Sequence, residues 1–133
     1  MVWYPTLEYI KDAYEVLKLG YPQLEKHCLT NKNALKGIID NLGYGLPIRQ
    51  IKLDLLEKAG RFLREMITYS PFSDGNKRIA YIITYHFLNK NNYLLDASED
   101  EKVNFTLFVA KNTSCHYKYN AKWLKSKCEK IKK

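Results

Sequence analysis

Nine consecutive residues concentrate the groups able to do chemistry in this chain: Ser70-Pro71-Phe72-Ser73-Asp74-Gly75-Asn76-Lys77-Arg78. A glycine turn that feeds a helix N-terminus presents backbone N–H groups that no helical bond satisfies. The helix dipole adds partial positive charge at the same place. Together they suit an anion, above all a phosphate. Asn76, Lys77 and Arg78 add amide and cationic donors. Asp74 sets a carboxylate where a Mg²⁺ bridging phosphate oxygens would sit. Phe72 is expected to anchor the loop by burying its ring. The predicted ligand-binding set is therefore Phe72, Asp74, Gly75, Asn76, Lys77 and Arg78, with Asp74 as the metal ligand. An ordinary interhelical turn with solvated charges would also contain a glycine and two cations. Density argues against that reading, because a carboxylate, a glycine, an amide and two cations occupy five consecutive residues at the start of the most apolar helix.

The elements that must position this segment are helical. Thr6 is a predicted N-cap, and Leu7, Ile10, Tyr14 and Leu17 follow at spacings of three and four until Gly20. A second helix is predicted over about 31–42, with Leu35, Ile38, Ile39 and Leu42 apolar and Gly43 as its cap. Gly43-Tyr44-Gly45-Leu46-Pro47 reads as an exposed turn or short hairpin. A long third helix is predicted from about Ile51 to Tyr69. Gly60 within it lowers helix propensity by about 1 kcal/mol, so it marks close packing or a tolerated residue. Pro71 breaks that helix. The fourth, from Asn76 or Lys77 to about Lys90, is apolar on most sides and reads as the central helix. Tyr93-Leu94-Leu95 reads as a short extended piece. Ser98 and Glu101 form a capping box that opens a fifth helix to about Lys111. A last helix is predicted over about 120–131, with Ala121, Leu124, Cys128 and Ile131 on one face. The predicted architecture is a single all-α domain over residues 1–133, a compact bundle of about six helices around the helix that follows the loop.

Composition narrows the class. The chain has 133 residues with 22 Lys and Arg, 14 Asp and Glu, and a formal net charge of +8. Residues 1–110 carry a net +1 and residues 111–133 a net +7, so the excess sits in a lysine-rich tail. That weakens the reading of a basic nucleic-acid-binding face. The longest nearly apolar stretch, Ile79 to Leu88, is half of the ~20 residues a membrane span needs, so no membrane partner is expected. The N-terminus lacks a basic and then apolar leader. Cys28, Cys115 and Cys128 are odd in number and widely spaced, as expected of reduced thiols in a cytoplasmic protein.

The segment 70–78 resembles the signature of the Fic/Doc (Fido) family, His-x-Phe-x-Asp/Glu-Gly/Ala-Asn-Lys/Gly-Arg between two helices. Phe72, Asp74, Gly75, Asn76, Lys77 and Arg78 match, and Pro71 fits the common His-Pro-Phe form. The Asn-Lys-Arg ending resembles Doc-like (death-on-curing) toxins more than the Fic branch, whose second Arg is replaced here by Tyr81. The resemblance implies transfer of AMP or phosphate from a nucleoside triphosphate such as ATP, with Mg²⁺, to a protein hydroxyl. The implied target is a protein, of which a translation factor is one example. Asp74 would carry the metal, and Asn76, Lys77 and Arg78 with the loop backbone would hold phosphates. The turn at 43–50 would correspond to the flap that positions the target.

One signature position differs. The family's His, the implied general base, falls on Ser70. A serine hydroxyl accepts no proton near neutral pH, whereas imidazole titrates there. Loss of a positioned base lowers the rate by roughly 10²- to 10⁴-fold. His86 lies eight residues past Arg78 on the same helix, about 12 Å along its axis, and reads as a core histidine. His27 and His116 lie outside the signature. Two readings follow: an impaired relative that keeps nucleotide binding, and an active protein whose base is water, phosphate or a partner's group. No Ser or Thr has a Glu four residues later, as the family's inhibitory helix requires. An inhibitor would then be a separate antitoxin chain.

A binding module without catalysis is the alternative. Tyr117, Tyr119 and Trp123 alternate with Lys118, Lys122, Lys125, Lys127 and Lys130, a pattern able to stack bases and neutralise phosphates. Deleting residues 118–133 is expected to remove such nucleic-acid binding and to spare the loop. The same pattern also fits an amphipathic helix with solvated lysines.

Overall fold

The computed structural model describes residues 1–44 and 53–131. These residues form six helices: α1 (Leu7–Gly20), α2 (Lys32–Tyr44), α3 (Leu55–Tyr69), α4 (Asn76–Lys90), α5 (Glu99–Lys111) and α6 (Tyr117–Lys127). A 3-10 turn at Pro22–Leu24 follows α1. Two short strands, β1 (Tyr93–Leu95) and β2 (Cys128–Lys130), pair antiparallel with Leu94 opposite Glu129. The fold is all-α, as expected, with this small ribbon at one edge.

Helix starts follow side-chain chemistry. The Thr6 hydroxyl accepts from the Tyr9 N–H at 3.1 Å. Asp54 accepts from the Glu57 N–H at 2.8 Å. In the capping box of α5, Ser98 accepts from the Glu101 N–H and Glu101 accepts from the Ser98 N–H. These caps satisfy donors that a helix leaves open.

The core lies along α3 and α4. Helix α3 buries Phe62, Leu63, Met66 and Ile67 on one side, and α4 buries Ile79, Ala80, Ile83, Phe87 and Leu88. Helix α3 packs most extensively against α6 and α4. Gly60 is the contact point with α6: a Cβ there would lie 2.7 Å from the Ala121 nitrogen. Close packing therefore explains this glycine.

Four boundaries differ from expectation; one is the start of α6, at Tyr117 rather than near residue 120. Helix α2 continues through Gly43 to Tyr44, and residues 45–50 of the expected turn lie outside the described residues. Helix α3 begins at Leu55 rather than near Ile51, because Asp54 is extended and caps it. The last helix ends at Lys127 rather than near residue 131. The chain extends at Cys128, where its backbone pairs with β1, and the Ile131 N–H donates to the Asn92 carbonyl at 2.7 Å. The tail is therefore no appendage. Leu124 is fully buried, and the Trp123 ring stacks on Phe105 at 3.8 Å. Deleting residues 118–133 would uncover α3, and Leu124 and Trp123 face the body, as the amphipathic-helix reading requires. All three cysteines are free. No described helix is long and apolar enough to cross a membrane.

Candidate functional site

The loop between α3 and α4 is fixed from both ends. Ser70 closes α3 in the left-handed region at φ 44°, ψ 64°. Its N–H donates to the Met66 carbonyl, and its hydroxyl donates to the Ile67 carbonyl at 3.0 Å. Pro71 is buried, and its carbonyl accepts three hydrogen bonds: from the N–H groups of Thr30 and Asn31, both at 2.9 Å, and from the Thr30 hydroxyl. Phe72 is buried and stacks on Tyr14 with ring centroids 4.1 Å apart. The Asn76 amide closes the turn, accepting from the Phe72 N–H at 3.0 Å and donating to the Phe72 carbonyl at 2.8 Å. The Tyr14 hydroxyl donates to the Asp74 carbonyl at 2.8 Å.

Gly75 sits at φ +79°, and a Cβ there would meet the Leu24 methyls at 3.1 and 3.3 Å. Only glycine combines that dihedral with that contact without strain. The turn delivers the chain to the start of α4, which has no side-chain cap. The first N–H groups of α4 thus lack both a helical partner and a capping side chain.

The loop forms one wall of a cleft of about 710 Å³ that Ser70, Asp74, Gly75, Lys77 and Arg78 line. Lys102 of α5 lines it too. The Arg78 guanidinium lies over the Tyr21 ring at 4.1 Å, which fixes its plane. One Asp74 oxygen accepts from the Gly75 N–H at 2.7 Å, and the other is 3.8 Å from His27 Nε2. His27 Nδ1 is 2.9 Å from the Ser73 hydroxyl, which also accepts from the Cys28 N–H. Tyr81 lines the cleft with its hydroxyl buried and without a partner among the described residues; burial pushes its pKa up. Lys102 pairs with Glu99 at 2.9 Å on the rim.

A glycine turn, an uncapped helix start, the Asp74 and Glu99 carboxylates and three cations, Lys77, Arg78 and Lys102, facing one cleft form a surface suited to an anionic ligand with a bound cation. The Fic/DOC family profile matches residues 8–88, which span α1, α2, α3, the loop and nearly all of α4. The chain belongs to the Fic/DOC family. No curated relative matches the chain. In this Fic/DOC protein, α5 and α6 lie beyond the matched stretch, yet α5 supplies Lys102 to the cleft.

The structure gathers all the residues expected on the loop, with two refinements. Asn76 uses both ends of its amide inside the turn, so it shapes the loop. Phe72 anchors the loop as expected, and the refinement is its partner: the ring stacks on Tyr14. Sequence reasoning missed Tyr14, Tyr21, His27 and Lys102, which come from elements distant in sequence. Tyr14 carried a signal, a hydroxyl on an otherwise apolar helix face. His27 carried none, because its segment reaches the loop through tertiary contacts, the Leu29–Phe72 bridge and the hydrogen bonds of Cys28, Thr30 and Asn31. His86 is held elsewhere, its Nδ1 2.8 Å from the Tyr9 hydroxyl. Burial, and then the charge of Lys90, hold its pKa below the usual histidine value.

Proposed function

We propose that this Fic/DOC protein binds a Mg²⁺-nucleoside triphosphate such as ATP in the cleft beside residues 70–78, and transfers AMP or phosphate to a protein hydroxyl only slowly. One observation carries this reading: the uncapped start of α4 opens onto the cleft that Asp74, Lys77 and Arg78 also line. The donor set fits the group. Among the described residues, no cluster of three or more His, Cys, Asp or Glu gathers. A cation here would rest on Asp74 and on ligand oxygens, as Mg²⁺ does when bound with phosphates. When bound, the ion would neutralise phosphate charge. Lys77 and Arg78 with the α4 N–H groups hold the phosphates, and Asn76 and Tyr14 keep the loop in shape for them.

Slow transfer follows from Ser70. Its hydroxyl donates to Ile67 and has no basic nitrogen with which to take a proton. The left-handed backbone at residue 70 is a region that His enters more readily than most side chains. Restoring the base therefore needs no backbone change. The family's pattern supports a protein target and a separate antitoxin chain as partners.

The test measures Mg²⁺-dependent ATP binding and then transfer. Binding should disappear in Asp74→Ala and Arg78→Ala. Ser70→His should raise labelling of a cell-extract protein by roughly 10²- to 10⁴-fold. α-Labelled ATP reports AMP transfer and γ-labelled ATP reports phosphate transfer. Absence of Mg²⁺-dependent ATP binding by the intact protein refutes the proposal. A folded, ATP-binding but silent Ser70→His refutes the idea that only the base is missing.

The nucleic-acid reading is less favoured. Tyr117 is buried and Trp123 stacks on Phe105, which leaves Tyr119, 64% exposed, as the one open ring of the three.

A further inference from the structure

A second cavity, of about 390 Å³, lies between α2, α3 and the start of α6, and the loop residues 70–78 do not line it. Asn41, Arg61, Arg64, Glu65, Tyr69 and Tyr117 are among its lining residues. Arg61 and Glu65 are one helical turn apart on α3, each side chain only 12% exposed, with Arg61 Nε 3.4 Å from Glu65 Oε1. Asn41 donates to the other Glu65 oxygen at 3.0 Å. Arg64 donates through one nitrogen to the Cys115 carbonyl at 2.9 Å. Arg61 Nη1 is buried and has no acceptor among the described residues.

A buried ion pair gives a fold little that apolar packing would not. A buried guanidinium nitrogen without an acceptor is a net cost, and natural structures keep few such groups. Both features sit beside a cavity at the small end of ligand-site volumes. Arg61 Nη1 has almost no accessible surface, so the groups an acceptor in the cavity would meet are the other guanidinium N–H groups of Arg61 and Arg64. Two guanidiniums, one carboxylate and the His116 ring line the cavity, so its wall favours an anion. A phosphate dianion would set a second negative charge beside Glu65. A carboxylate matches the flat guanidinium fork with two acceptor oxygens. Tyr69 and Tyr117 supply ring surface for the organic part of such a molecule.

We propose that this cavity binds a small organic carboxylate, with Arg61 and Arg64 as its charge partners. It stands independently of the nucleotide reading, since its residues lie outside the loop. The test is a backbone and side-chain NMR titration of the full chain with benzoate, with neutral benzamide and inorganic phosphate as comparison probes. Benzoate should give saturable shifts at Asn41, Arg61 and Arg64, and benzamide should not. Arg64→Gln leaves the Arg61–Glu65 pair in place, and it should weaken benzoate binding roughly ten- to hundred-fold while the spectrum stays folded. Should Arg64→Gln fail to fold, Arg64→Lys, which keeps the charge and loses the flat fork, should weaken benzoate binding while the spectrum stays folded. No saturable shift, equal shifts with benzamide, unchanged affinity in Arg64→Gln, or phosphate binding more tightly than benzoate would each overturn the assignment.

Discussion

At the scale of single residues, the loop depends on side chains that are small or absent. Gly75→Ala sets a Cβ 3.1 Å from Leu24 in a left-handed backbone that L-residues avoid. It should lower stability by about 1–3 kcal/mol in urea unfolding. Trimming Leu24 in the same chain removes the contact but not the dihedral strain, so stability should not return to that of Gly75. The residue types of the loop were legible because each has a local role that its neighbours define: Asp74 before the glycine, Gly75 at the turn, Lys77 and Arg78 after it. Ser70 read in sequence as the position where the family signature has its His. Its second role, closing α3 in a left-handed conformation, depends on a dihedral angle that its residue type does not announce. His27 was illegible, since its place beside Asp74 comes from backbone pairing across more than forty residues.

Between elements, close approach and charge placement decide. Gly60→Ala gains about 1 kcal/mol of helix propensity. It also places a methyl 2.7 Å from the Ala121 backbone, and overpacking of this kind typically costs about 1–3 kcal/mol. The second effect is larger, so thermal unfolding should show a less stable protein. The start of α5 is tied to the end of α6 by the Lys127–Glu101 contact. Hydrogen bonds from Lys127 and from the Ser98 backbone hold the Glu101 carboxyl down to about 2, against an ordinary 4.5. The folded state thus binds fewer protons than the unfolded chain between those values. Its stabilisation is present above pH 4.5 and is lost as the pH falls toward 2. Lys127→Met should flatten that acid limb, read as melting temperature against pH. Helix identities were legible from periodicity, and caps fixed the starts of α1 and α5. The end of α6 was not, because Ala121, Leu124, Cys128 and Ile131 keep helical spacing into a segment whose backbone pairs with β1.

For the molecule as a whole, the +8 charge gave little guidance. The lysine-rich C-terminal segment closes the core through Leu124 and Trp123 and completes a two-stranded ribbon. Its lysines are the solvent face of a structural element. The all-α fold was legible because hydrophobic spacing recurs in every helix. The cavity between α2, α3 and α6 was not legible, because Arg61 and Glu65 read in sequence as an ordinary surface pair one turn apart. The Pro71 carbonyl carries a further consequence. Three hydrogen bonds from Thr30 and Asn31 hold it, so the turn is fixed by contacts within the protein itself. For the proposed anion, association would then require no slow ordering of the loop, and differences in affinity among anions would belong to how fast each one leaves.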